Sequence, residues 1–450
     1  MRVTWVQPED VLPHELVASR EEGRDVDDIE RRWHAAGGAP RPPVGGASSP
    51  PATPELRRLA VRLLDELEAR PVPDSADEPD ALTDIERTWP EGVWDPAVPD
   101  DLGDRIHGAW LGRAVGCLLG KPVEKVPRAG IREILQATGR WPLSFYFTAE
   151  GLPEEVSARW PWNRASRPTS LVENIDGMPE DDDLNYPIIA LAVLEAYGPD
   201  FTTDDVAKVW LDLLPGGRVF TAERVAYRNL LAGLEPPATA RIRNPYRQWI
   251  GAQIRTELYG WTNPGRPDRA ARQAYTDARL SHVRNGVYGA LYAAALGSAA
   301  MVADDIDTVL DTAAAYVPPG SRFADAVRFA RNAAASYPDW ERVVDAIEAR
   351  YQHLHWVHVL GNAALLTAAL AHARGDFVQS ICNVVSGGWD TDSTGATVGA
   401  VAGALCGATA LPADWTGPLH NRLATSIPGF ARTDGVRFDE LATRTLKVLR

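Results

Sequence analysis

Two acidic clusters are the residues best equipped for chemistry. One is Glu180-Asp181-Asp182-Asp183 and the other is Asp390-Thr391-Asp392-Ser393-Thr394. Each comes just before a stretch of helical period, read as starting near residues 187 and 395. Acids at a helix start are stabilised by the dipole and by unbonded N–H groups, so capping is the plain reading of either cluster alone. Two features go beyond capping. Four successive acids repel one another and exceed any capping need. Asp390 and Asp392 are hemmed in by small and apolar residues, which predicts burial, and a buried carboxylate needs a compensating cation. Oxygen-only donors favour Mg²⁺, Mn²⁺ or Ca²⁺ over zinc. If the two clusters meet in the fold, they could hold a pair of ions roughly 3.5–4 Å apart.

The elements that must position these acids carry a pattern of their own. Gly395, Gly399, Gly403 and Gly407 recur every four residues after the second cluster. Each costs a helix about 1 kcal/mol relative to alanine. Four in register imply that another helix backbone packs very close along that face. The same spacing recurs at Gly108, Gly112, Gly116 and Gly120, followed by Lys121-Pro122-Val123-Glu124. Gly120 and Pro122 end that helix, leaving Glu124 in the loop beyond. A lone glutamate in a loop is ordinarily just solvated.

Elsewhere the period is helical from about residue 101 onward: 106–119, 187–197, 203–213, 219–234, 286–302, 306–315, 323–336, 340–351, 363–373 and 395–408. No β-branched run alternates with period two, so no sheet is expected. The fold class predicted is all-α: one large orthogonal helical domain, residues 101–450, with an N-terminal helical arm, residues 1–100. The arm reads as a short helix near 26–34, a Pro/Gly/Ser-rich linker at 36–54, a helix at 55–67 and a second Pro- and Asp-rich linker at 71–101. Odd residues collect in the loops 120–185, 235–285 and 384–394.

The formal charge of −15 argues against nucleic acid and anionic membrane surfaces as partners. Three cysteines at no metal-ligand spacing (Cys117, Cys382, Cys406) give neither a disulfide framework nor a zinc site. The start of the chain lacks the basic and apolar run of a signal peptide. The most apolar stretches, 286–301 and 395–411, are too short for membrane spans, so the expected compartment is the cytoplasm.

Together these pieces resemble the ADP-ribosylglycohydrolase family (the dinitrogenase reductase-activating glycohydrolase-like proteins). GAWLGRAVGCLLGKPVE resembles its N-terminal motif, EDDD stands at its first metal motif, and GGWDTDSTGATVGAVAGALCG resembles its C-terminal metal motif. HVRNGVYG at 282–289, PPGSRF at 318–323 and HWVHVLGN at 355–362 follow in the family's order, so the resemblance spans roughly 105–410. It implies an all-α domain with a dinuclear Mg²⁺ site, Mn²⁺ being an alternative, that releases ADP-ribose from a small-molecule or protein-linked ADP-ribosyl substrate. Carried over by position, Glu180, Asp181 and Asp182 match the first-loop ligands, and Asp390, Asp392 and Ser393 the second. Glu124 matches the glutamate that activates or orients water or ribose. The catalytic residues implied are Glu124, Asp182 and Asp392.

Three departures bear on the site. Glu180 stands where the family has threonine or serine, so the ligand is either this carboxylate or, with shifted register, Asp183. Trp389 lies between Gly-Gly and Asp-Thr-Asp, and Ser393-Thr394 leaves open which hydroxyl reaches an ion. Other residues carry weaker signals. His282, His355 and His358 read as structural histidines. Asn244 to Trp249, Asn263-Pro264-Gly265 and Phe145 to Phe147 could contact a base or a diphosphate, or simply pack. The N–H groups at 286–289 could receive a phosphate. Competing readings are a glycohydrolase of another ribosylated small molecule, an inactive metal-binding member, and an interaction protein that docks through its arm.

Overall fold

The computed structural model describes residues 2–449 apart from 93 and 95. The described residues form helices and no strand; isolated bridges such as Met178 with Leu423 are the extent of β-pairing found among them. The predicted all-α class is what the chain adopts. At the centre lies Arg284–Ala300, a helix with every residue buried, as a helix apolar on all sides must be.

A second buried helix, Thr391–Cys406, packs on it and, far more extensively, on a third, Leu102–Gly120. The second and third run antiparallel with backbones in contact. A Cβ added at Gly108, Gly112 or Gly116 would collide with the carbonyl of Gly403, Gly399 or Gly395 respectively, and the clash is reciprocal. This is the close helix neighbour that the glycine spacing predicted. Gly407 does other work: it caps the second helix at φ +75°, a conformation that L side chains rarely adopt.

The acid-bearing helices begin earlier than their periodicity indicated. One spans Asp182–Tyr197 and the other Thr391–Cys406, so Asp182, Asp183 and Asp392 occupy first turns, Asp181 and Asp390 are the N-cap residues, and Glu180 lies just before the helix. Pro187 lies inside the first of these. Its missing N–H leaves the carbonyl of Asp183 without its helical partner, and Arg113 Nε donates to that oxygen at 2.7 Å. Several helices within the expected loops escaped the period count, including Arg128–Ala137 and Pro267–Ala278. The second is polar with a narrow alanine stripe, which carries little periodic signal.

The N-terminal arm contains two helices more than expected: Pro8–Glu21, where Pro13 and five charged residues mask the period, and the short Leu82–Glu86, which lies in the stretch read as a linker. With Asp27–Ala35 and Pro54–Glu68 the first of these closes a small core of its own around Leu12, Leu16, Trp33 and Leu63. The arm lies on the main domain through buried ion pairs: Arg247 with Glu15 at 2.9 Å and with Glu22 at 2.7 Å. Further along, Glu78 pairs with Arg322 at 2.7 Å and Trp89 donates to the carbonyl of Tyr316 at 3.0 Å.

Candidate active site

The antiparallel glycine crossing brings the end of one helix to the start of the other. Gly120 lies against the backbone of Thr391 and Asp392, and Thr391 Oγ1 donates to the Gly120 carbonyl at 2.8 Å. Lys121 to Glu124, which follow Gly120, are thereby set beside Asp390 and Asp392. Asp183 reaches the same place from its own helix. Ser393 Oγ donates to Asp183 Oδ2 at 3.4 Å across 210 residues of chain.

Two sets of donor atoms converge to within 4.8 Å of one another: Glu124, Asp390 and Asp392 form one, and Cys117, Asp181 and Asp183 the other. Asp182 lines the same cavity. Burial, and then the charges of Asp181 and Asp392, push the Asp182 carboxyl well above the carboxylate range. The same two effects raise Asp183. Burial followed by Asp392 and Glu124 raises Asp390, and burial with the Glu124 charge lifts Asp392 to about 7. Asp181 goes the other way. Burial opposes its charge, but the Lys121 ammonium on its carboxylate and the N–H of Asp183 hold it below its ordinary value. Burial also keeps the Cys117 thiol protonated by raising it well above its usual value.

Supporting residues fix the acids. Asn362 Oδ1 accepts the N–H of Asp390 at 3.1 Å, while its Nδ2 donates to the carbonyls of Trp356 at 2.8 Å and His358 at 2.9 Å. Glu124 is held on one oxygen by Asn163 and on the other by Lys125 at 3.0 Å. Thr394 Oγ1 is spent on the Asp390 carbonyl at 2.7 Å, which leaves Ser393 as the hydroxyl on the cavity wall. Glu180 reaches the cavity but joins neither donor set. Its oxygens are engaged by Ser426, by Asn185 at 3.0 Å and by Arg218 at 3.1 Å. Of the two registers left open by the sequence, Asp183 is the one that converges with Asp181.

The cavity in front of these groups measures about 370 Å³. Besides the acids it is lined by Tyr186, Phe220 and Trp356, by Lys125 and Arg218, and by Trp5 of the arm. Sequence reasoning missed Lys121, Arg113, Asn163, Asn362 and Trp5. A buried arginine in a glycine-ridged helix was a readable signal for Arg113, which also pairs with Glu257. Trp5 left none.

The remaining candidates serve structure. Arg247 is consumed by Glu15 and Glu22, and Tyr246 and Trp249 pack edge-on against Trp5. Tyr146 donates to the Trp415 carbonyl at 2.8 Å. Asn263 Nδ2 donates to the Tyr259 carbonyl at 2.8 Å. His282 bonds Ser281 at 2.8 Å, His355 stacks on Trp249, and His358 caps its helix by accepting from Leu360 N–H. The start of the central helix is covered by the arm: Arg284 N–H donates to Asp80 at 3.3 Å and Tyr288 to the Pro79 carbonyl at 2.6 Å.

An all-α protein whose crossed glycine helices present carboxylates to one cavity is the class that fold and site define. The ADP-ribosylglycohydrolase family model matches residues 98–447, and the chain belongs to that family, whose general activity is glycohydrolysis at ADP-ribosyl groups. A solved structure described as an "ADP-ribosylglycohydrolase-related protein complex" is 22% identical. It covers 78% of this chain and 99% of that chain, at a TM-score of 0.46. No curated protein matches the chain. No helix among the described residues is long and apolar enough to cross a membrane.

Proposed function

We propose that the chain hydrolyses the glycosidic bond at the anomeric carbon of an ADP-ribosyl group and releases ADP-ribose, using two divalent cations, Mg²⁺ or Mn²⁺. The observation that carries this reading is the convergence of carboxylates from two helix starts with Glu124 at one cavity. The donors suit such ions. Apart from the Cys117 thiol, which burial keeps protonated, they are hard oxygens withdrawn from water; Lys121, Lys125 and Arg113 are too few cations to balance the six carboxylates, and Asp183 Oδ1 is buried with no hydrogen-bond partner. Asp181, Asp182, Asp390, Asp392 and Ser393 would hold the ions, with Asp183 in the part first read for Glu180. When bound, the ions supply Lewis-acid polarisation of ribose hydroxyls and of water.

The chain's own groups do the rest. Asn163 and Lys125 aim the Glu124 carboxylate, which takes the proton of the attacking water. The water oxygen bonds to the anomeric carbon. The bond from that carbon to the leaving group breaks, and its electron pair departs with the leaving group. A ribose held rigidly by the carboxylate wall reaches the oxocarbenium-like state with less loss of entropy. The roles differ from those in two-carboxylate glycosidases, in which a second acid supplies the activation.

The test is a hydrolysis assay with Mg²⁺ or Mn²⁺ against ADP-ribosylated arginine and serine peptides and small ADP-ribosyl compounds, with an EDTA control. Metal-dependent release of ADP-ribose from one conjugate is expected, and that conjugate identifies the linkage. Metal binding without release from any conjugate would refute the reading. The aromatic lining of the cavity favours a small ribosylated molecule as the alternative substrate.

A further inference from the structure

Trp5 belongs to the arm, outside the segment that matches the family, yet it lines the cavity that holds the acids. Its setting is built with care. Trp5 adopts φ +67°, a left-handed conformation that is a marked outlier for a bulky residue. Its N–H donates to the Gly46 carbonyl at 2.6 Å. A Cβ at Gly46 would come within 2.3 Å of the Trp5 indole, so only glycine fits there. Rings of Tyr246, His14 and Trp249 surround the indole at 5.4–6.0 Å between centroids. A strained residue buttressed from several sides, with 6% of its surface left exposed beside a cavity, points to function rather than to packing alone.

Two more aromatic rings line the cavity. Trp356 is half-buried, its Nε1 directed to the Val44 carbonyl of the arm at 3.5 Å, and the Lys125 ammonium sits 5.5 Å from its ring. Phe220 opens a helix with 42% of its surface exposed, which is unusual for a large apolar ring. Tyr186 contributes a buried hydroxyl with no hydrogen-bond partner. Burial pushes that phenol well above its ordinary value, so it remains a donor. Flat apolar faces with one free donor suit a planar heteroaromatic ring rather than an aliphatic side chain.

Resting on the glycohydrolase reading, we propose that the N-terminal arm completes the substrate site. Trp5, with Trp356 and Phe220, receives a planar heteroaromatic ring of the substrate, either its purine base or a ring-bearing leaving group. Trp5 is then a specificity-determining residue rather than part of an accessory clamp.

The experiment is calorimetric titration of the full-length chain in Mg²⁺ buffer with AMP, nicotinamide and ribose 5-phosphate. It compares the wild type with Trp5→Ala, Trp5→Phe and Trp356→Ala, each checked for an intact melting transition. We expect Trp5→Ala and Trp356→Ala each to weaken binding of a ring-bearing probe about tenfold. Trp5→Phe should retain most of the affinity, and ribose 5-phosphate should bind all four proteins alike. Dependence seen with AMP assigns the ring to the purine; dependence seen with nicotinamide alone assigns it to the leaving group. If Trp5→Ala unfolds the chain, Trp356→Ala, on the main domain, decides. Unchanged affinity for both ring probes in the variants, or no binding of either by the wild type, overturns the proposal. These titrations involve no turnover, so their outcome is independent of the hydrolysis assay.

Discussion

At the crossing of the glycine helices, backbone meets backbone: Gly112 faces the carbonyl of Gly399 with no room for a methyl group. Where the arm meets the main domain, contact is made by long side chains: Arg247 takes Glu15 and Glu22, and Arg322 takes Glu78. The crossing fixes the acids by steric exclusion, which allows one register only. The arm is fixed by charges whose partners lie more than 200 residues away and by the packing of Trp5 against Tyr246 and Trp249. Exclusion gives the precision that chemistry at Asp390, Asp392 and Glu124 demands. Ion pairs can be released, so removal of the arm is expected to leave the acids in register. The comparison teaches which changes should destroy the site and which should only open it.

The sharpest break comes from the acids themselves. Asp182→Ala and Asp392→Ala, from different helices, should each abolish turnover while leaving the far-ultraviolet circular dichroism and the melting transition intact. Next in size is the crossing. Gly399→Ala and Gly112→Ala force a methyl group into a carbonyl, and a denaturant melt should record a loss of about 3 kcal/mol or more. Activity should fall with it, because the acids lose their common register. A variant that kept its stability and activity would mean that the backbone contact does not set the site.

Smaller effects are expected at the arm. Arg247→Ala strands two buried carboxylates, a change that costs about 3–5 kcal/mol where the groups cannot move. Here the arm can lift away, so limited proteolysis should cut within residues 1–100 while the main domain survives.

Acid should loosen the same contact. Burial lowers His14 from 6.5 to about 4, against weaker support from the Pro43 carbonyl and Asp10. Burial, then His14 and His358, lowers His355 to about 3. Both therefore bind protons more readily when the arm is undocked or unfolded, and stability falls as pH drops from 6.5 toward 4. For His14 alone the loss at pH 5 is on the order of 2 kcal/mol. Glu22, though burial opposes its charge, is held at about 2 by Arg247, so its ion pair persists through this range. Tryptophan fluorescence between pH 7 and 4 would follow the change; a flat profile would remove the histidines from the account.

The same contrast governs what could be read in advance. Exclusion leaves a periodic trace, so Gly108 to Gly120 and Gly395 to Gly403 announced a close helix pair, and the acids beside them marked the candidate site. The all-α class followed from the helical period. Side-chain docking leaves no such trace. Nothing in the spacing of Glu15, Glu22 and Arg247 says that they meet, and Arg247 was therefore open to a substrate role that its ion pairs exclude. Residues 36–54 have the composition of a flexible linker, yet Gly46 and Val44 from this stretch contact Trp5 and Trp356. Glu180 differs for a local reason. Its neighbours Asp181 and Asp182 turn into the first turn of the helix, while Ser426 and Arg218 draw Glu180 aside.

Acids from two helix starts, on the reading proposed above, form a single cation-dependent site. The most direct measurement is Mn²⁺ binding by calorimetry, with hydrolysis read on the same samples, for the wild type, Asp182→Ala and Asp392→Ala. Two ions per chain in the wild type are expected, with loss of binding and turnover in both variants. Full stoichiometry and turnover in either variant, or turnover undiminished by EDTA in the wild type, would contradict it.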